Sequence, residues 1–167
     1  IISTAIKAQE ASAGQIARVI ACMTALNKRA SEILAEEGDV HSCTDITGFG
    51  LLGHACEMID GCSVGINIKA AAVPVLDGVR ELMETGWIPG GLYRNKNFRI
   101  HQIIREATCP DWLFDLFFDP QTAGGLFFSL PADKAQAVAD RMRQAGIAEA
   151  AVIGDVVDEH PGKISVY

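Results

Sequence analysis

Residues 43–54 read Cys43-Thr44-Asp45-Ile46-Thr47-Gly48-Phe49-Gly50-Leu51-Leu52-Gly53-His54, or CTDITGFGLLGH. The residues before them, 40–44, have the composition of a short strand, and 51–59 have the apolar content of a helix. A strand that turns into a helix within a few residues is the basic unit of a mixed α/β fold. Three glycines in the six residues 48–53 are more than a turn requires. Glycines let a chain bend until the unpaired N–H groups of a helix start converge, and such a point attracts anions. Asp45 alone would repel phosphate, whereas Mg²⁺ bridges carboxylate and phosphate oxygens. Asp45, Thr47, Gly48 and Gly50 therefore suggest a metal–phosphate site. The plainer alternative is that Asp45 caps the turn and the glycines serve packing, and spacing alone leaves both open. No Gly-Lys-Ser/Thr follows, so the stretch is not a P-loop.

Upstream, Ser12 and Gln15 fit a capping box, followed by Ile16, Val19, Ile20, Met23 and Leu26 on one helical face. Asn27 is expected to cap a second helix that Gly38 ends. Downstream, Val64, Ile66 and Ile68 alternate as a strand, and Pro74 opens a helix that stops at Gly86. Residues 87–98 (WIPGGLYRNKNF) show no period and read as a long loop. A short apolar helix is expected over 111–118, a buried strand over 126–130 and a helix over 132–145. Strands over 151–157 and 164–167 close the chain as an expected pair. The class is α/β or α+β, a layered α-β-α domain with a mixed sheet, and 167 residues fit one domain over 1–167.

Composition removes several functions. Apolar residues make up 49% and charged residues 21%, which fits a globular chain. Fourteen Lys and Arg against 21 Asp and Glu give a formal charge of −7, which argues against a nucleic-acid partner. No apolar run approaches the roughly 18 residues of a membrane span, and no signal peptide is visible. Cys22, Cys43, Cys56, Cys62 and Cys109 lack zinc-ligand spacing and read as reduced thiols of a cytoplasmic protein. The first residue is Ile1, so the chain reads as a piece of something longer or as lacking its start.

Two other glycine stretches stand out. In FDPQTAGGL, Asp119, Gln121 and Thr122 precede Gly124 and Gly125 ahead of a strand. In PGGLYRN, Arg94 follows the pair Gly90–Gly91 and begins a basic cluster with Lys96 and Arg99. Asp119 reads equally well as a turn held by its own side chain, and the basic cluster as a solvated loop.

Together, CTDITGFGLLGH, PGGLYRN and DPQTAGG occur in the order and spacing of the C-terminal half of the selenophosphate synthetase (selenide, water dikinase) family, which the whole chain resembles from IISTAIK to IGDVVDEHPGKISVY. The resemblance implies an ATP-dependent phosphotransferase that makes selenophosphate, AMP and phosphate from selenide, ATP and water. It implies the C-terminal domain type of the aminoimidazole ribonucleotide synthetase superfamily, partly ferredoxin-like, packed over an ATP site. That superfamily also holds thiamine-monophosphate kinase and a hydrogenase maturation factor. Its N-terminal half builds the homodimer and carries most of the ATP site. Asp45 matches a magnesium ligand of the family, and Thr47, Gly48, Gly50, Arg94, Gln121 and Thr122 become candidates near phosphate or substrate. No catalytic nucleophile is expected in this chain, because the family's Cys or Sec lies in the N-terminal half. Cys43 has no matching role and is expected to be a buried, inert thiol. The isolated chain is expected to be inactive. The alternatives are a thiamine-monophosphate kinase-like domain and a non-catalytic interaction domain.

Overall fold

A computed structural model describes residues 1–167. The chain runs α1 (Ile2–Lys7), α2 (Ala13–Thr24), α3 (Lys28–Glu37), β1 (Ser42–Asp45), α4 (Gly50–Ile59), β2 (Gly65–Ile68), α5 (Val79–Glu84), α6 (Gly90–Arg99), β3 (Ile103–Arg105), α7 (Asp111–Leu116), β4 (Leu126–Ser129), α8 (Ala132–Gln144), β5 (Gly154–Val157) and β6 (Ile164–Val166). The strands form two sheets. One is a mixed sheet of order β3-β6-β2-β5, and the other is an antiparallel ribbon of β1 and β4.

The apolar helix α4 organises the packing. Most of it is buried, from Gly50 to Cys56 and again at Ile59, as expected of a largely apolar helix. It contacts β1 of the ribbon and β6 of the mixed sheet. Leu51, Leu52, Ala55, Cys56 and Ile59 join Ile66, Ile68, Ile164 and Val166 in the main core, with Leu92, Leu113, Phe114, Phe117 and Phe118. A smaller core forms where α3 and α8 pack on one face of the ribbon, with Ile33, Leu34, Val138 and Met142 at its centre. The opposite face of the mixed sheet carries Asn67, Ser165 and Tyr167 and lines an open cavity of about 580 Å³.

Several expectations hold. Ser12 and Gln15 form a reciprocal capping box at α2. Gly38 ends α3 in the left-handed conformation, φ +72°. Asn27 does stand at the start of α3, but its side chain does not cap it and instead donates to the Gly124 carbonyl at 3.0 Å.

Other expectations are corrected. Residues 87–98 are not a loop, since α6 occupies most of them. Its inward side is largely polar: Lys96 pairs with Asp115 at 2.5 Å, Arg99 with Asp60 at 3.0 Å, and Asn95 bonds backbone carbonyls. Tyr93 and Phe98 face outward, so hydrophobic periodicity cannot reveal this helix. The helix expected from Pro74 shrinks to α5 behind a 3-10 turn at Ala70–Ala72. Neither α1 nor β3 was expected. β5 and β6 do not pair with each other, because β2 lies between them, antiparallel to β5 (Ile66↔Val156) and parallel to β6 (Ile66↔Ile164). Cys43 is exposed rather than buried, on the outward side of the narrow ribbon.

Candidate functional site

The three glycine motifs meet in one knot. Ile46 N–H donates to the Gly125 carbonyl at 3.0 Å, Gly124 N–H to Ile46 O at 2.8 Å, and Gln121 N–H to Thr47 O at 3.0 Å. These bonds carry the β1–β4 ladder past the strand ends and join residues 46–47 to residues 121–125. From α6, the Asn95 amide donates to Gly48 O at 2.9 Å and to Phe118 O at 3.1 Å, so one side chain ties all three motifs. Leu52 N–H donates to Phe117 O at 3.1 Å, fixing the start of α4 against α7.

Such close approach of main chains accounts for some of the glycines. A Cβ at Gly50, where φ is +73°, would lie 2.8 Å from Phe117 O and Phe118 C. A Cβ at Gly124 would lie 2.6 Å from Ile46 O. Both sites exclude a side chain on steric grounds. Gly48 and Gly125 differ: both are exposed, neither has positive φ, and nothing lies within 4 Å of a Cβ at either.

Asp45 ends β1 with its side chain exposed, and its carboxylate makes no hydrogen bond or ion pair within the chain. It does not cap the turn. The nearby backbone donors are partly used. Gly50 N–H bonds Thr47 O at 3.1 Å, and Phe49 N–H bonds His54 Nε2 at 3.4 Å. The amides of Thr47 and Gly48 have no acceptor in the chain. Thr47 Oγ1 lies 3.1 Å from His54 Nε2, so its hydroxyl is engaged inward. Asp45 thus has a carboxylate without a partner, and the amides two and three residues further on, of Thr47 and Gly48, have no acceptor in the chain.

Gln121 and Thr122 are exposed, with side chains that make no hydrogen bond. Within the basic cluster, Lys96 and Arg99 are tied to Asp115 and Asp60. Arg94 alone is exposed without a carboxylate partner, its guanidinium lying near Gly90 and Gly91. Asp119 does not hold its own turn. Its two carboxylate oxygens instead face the main-chain nitrogen of Ile1 at 3.0 and 3.1 Å, and burial pushes its carboxyl up.

Sequence reasoning missed His54 and Asn95. Asn95 lies in a segment misread as a loop. The signal for His54 was its place in the apolar first half of the helix, where a buried polar group needs partners. Cys43, Cys56 and Cys109 are not activated nucleophiles, because each thiol is pushed up by burial. Burial pushes Cys56 up to about 12, and the Cys43 thiol, though on an exposed residue, is raised by its partial desolvation and then by the Asp45 charge.

No group of three or more His, Cys, Asp and Glu side chains could hold a metal ion. A cation at Asp45 therefore needs ligands from outside these 167 residues or from a bound substrate. The carboxylate fits one coordination position, and nothing around it competes for that position.

The family model described as "AIR synthase related protein, C-terminal domain" matches residues 3–167. Among curated proteins, "Selenide, water dikinase" of Pelobacter propionicus is 43% identical over 99% of this chain and 47% of its own length. The protein of the same name from Caldanaerobacter subterraneus subsp. tengcongensis is 40% identical over 99% of the chain and 48% of its own length. The chain thus spans about half the length of the curated relatives it matches. A crystal structure of E. coli HypE superposes with a TM-score of 0.56 at 20% identity, over 81% of this chain and 34% of that one. That similarity shows the fold alone.

Proposed function

We propose that this chain, which belongs to the AIR synthase-related C-terminal domain family, is the C-terminal domain of a selenide, water dikinase. The observation that carries the reading is its identity of about 40% to proteins of that name along essentially its whole length. In the full-length protein, ATP, selenide and water would become selenophosphate, AMP and phosphate, with Mg²⁺ as the metal. The reaction would take place where an N-terminal half brings most of the ATP site and a nucleophile. That half would also build the homodimer. No helix of the chain is long and apolar enough to cross a membrane.

Phosphoryl transfer depends mainly on positioning and on masking charge. ATP and selenide are both anions, so attack of one on the other is repelled until the phosphates are neutralised. Mg²⁺ supplies that neutralisation when bound. Asp45 would contribute one carboxylate ligand from the C-terminal side. The free amides of Thr47 and Gly48 suit a phosphate oxygen. Arg94, Gln121 and Thr122 are available for polar contacts on the substrate side. Because Asp45 alone is an incomplete site, metal binding would report closure of the two halves.

Asp45→Asn in the full-length protein tests the metal assignment. The exposed side chain makes the exchange neutral for folding, and Mg²⁺-dependent ATP turnover should fall strongly. An active Asn variant with unchanged magnesium dependence would refute it. Assaying the same protein with selenide and with thiamine monophosphate separates the substrate assignment from a related kinase.

A further inference from the structure

We infer that His54 is a positioning residue for the Asp45 turn: its imidazole, protonated at Nδ1, holds residues 47–49 in the shape that leaves the Thr47 and Gly48 amides free. The inference rests on the proposed role of Asp45 and adds a residue that acts through it.

His54 is 7% exposed and sits one turn into α4. Side chains in a helix lean toward its N-terminus, so the ring reaches back over the turn that precedes it. A backbone N–H can only donate. The Phe49 N–H contact at 3.4 Å therefore makes Nε2 the acceptor, and Thr47 Oγ1 lies 3.1 Å from the same nitrogen. The ring proton then belongs on Nδ1, which is 2.9 Å from Glu57 Oε2, three residues along the same helical face. The Phe49 ring leans on the imidazole, with centroids 5.5 Å apart and planes inclined by 54°.

The helix is built to permit this reach. A Cβ at Gly53 would come within 2.6 Å of Phe49 Cβ, so only glycine lets Phe49 sit this close to α4. The single Nε2 lone pair is shared by two groups of the turn, the Thr47 hydroxyl at 3.1 Å and the Phe49 amide at 3.4 Å. Both are drawn inward. From α6, Asn95 holds the Gly48 carbonyl at 2.9 Å. The segment is thus clamped by His54 and Asn95, and its backbone donors left without an acceptor are the Thr47 and Gly48 amides. A buried ring with both nitrogens engaged keeps the turn in one conformation before any ligand arrives, which is what positioning requires.

The test uses the full-length protein and reads the Mg²⁺ concentration giving half-maximal ATP turnover, with rate at saturating Mg²⁺ measured separately. His54→Phe keeps the ring volume and removes both nitrogens. Loss of these hydrogen bonds should raise the Mg²⁺ requirement about tenfold while the saturating rate falls less. His54→Gln keeps an acceptor and should recover most of the loss. Glu57→Leu removes only the partner of Nδ1 from a side chain that is 42% exposed, and should raise the requirement about threefold. A purely structural histidine would lower the melting temperature and leave the Mg²⁺ requirement unchanged, and that result in folded His54→Phe overturns the inference. If His54→Phe does not fold, an unchanged requirement in Glu57→Leu overturns it instead. Nitrogen NMR of the imidazole supplies a readout independent of turnover, because a ring protonated at Nε2 rather than Nδ1 contradicts the clamp. Asp45→Asn run in parallel separates two failures. If it leaves magnesium dependence unchanged, the reading of Asp45 fails; if it alone shifts that dependence, only the role of His54 fails.

Discussion

The motif knot has an inner and an outer side, and the two sides use the same residue types for opposite purposes. Inside, Gly50 and Gly124 lie where main chains approach too closely for any Cβ, and Asn95 and His54 spend their polar atoms on turn backbone. Outside, Gly48 and Gly125 have empty space where a Cβ would be, Asp45 has no partner, and Arg94 has no carboxylate partner. A glycine-rich motif is therefore not one signal. Half of this one builds the fold of the chain, and the other half has no internal duty. Chemistry directed at something beyond these residues belongs to the second half.

The sharpest way to break that division is Gly50→Ala. The residue would carry a Cβ at φ +73° and press it 2.8 Å from main-chain atoms of Phe117 and Phe118. Left-handed strain adds to overpacking against backbone that cannot swing aside, for about 3–4 kcal/mol of lost stability. A denaturation midpoint barely changed from wild type would remove Gly50 from the inner class. Gly124→Ala should cost less, about 2 kcal/mol. Its φ is not in the left-handed region, and of its near neighbours the Gln121 amide can move while Ile46 O cannot. Asn95→Ala comes next. It releases the buried Phe118 carbonyl and the exposed Gly48 carbonyl at once, which should cost about 1–2 kcal/mol by chemical denaturation.

On the outer side the sign is expected to change. Gly48→Ala and Gly125→Ala meet no atom and need no special backbone, so each should shift stability by less than about 0.5 kcal/mol. Reduced freedom of the unfolded chain favours a slight gain. A loss near that of Gly124→Ala would erase the distinction between the two sides.

How legible this was from the sequence follows from the same division. The strand–turn–helix at residues 40–59 was readable because β1 is short and followed by glycines and α4 is mostly apolar. The prominence of Asp45 was readable from its neighbours, but its freedom from capping was not, since an Asx turn has the same local sequence. The helix α6 was hidden because it turns Asn95, Lys96 and Arg99 inward and Tyr93 and Phe98 outward, inverting the usual pattern. The separation of β5 from β6 was equally hidden, because nothing local to 151–167 encodes the insertion of β2 between them. Tertiary pairing and polar burial are the two kinds of information that periodicity does not carry.

The smallest expected effect probes the outer side chemically. Cys43 and Asp45, two residues apart, share the exposed side of β1, and the Asp45 charge is the second cause, after partial desolvation, that raises the Cys43 thiol. The thiolate is the reactive form, so a neighbouring carboxylate slows alkylation by disfavouring it. Asp45→Asn removes that charge, lowers the thiol pKa and should speed Cys43 alkylation by about twofold at fixed pH and moderate salt. The other exposed thiols, Cys22 and Cys62, are followed by peptide mapping as internal references that should not change. In the full-length protein, Mg²⁺ with ATP should act in the same direction as the substitution, since a cation on Asp45 cancels the same charge. Its effect should vanish in Asp45→Asn. A Cys43 rate that responds to Mg²⁺ equally in both proteins would mean that the cation acts elsewhere, and the outer carboxylate would then have no metal to hold.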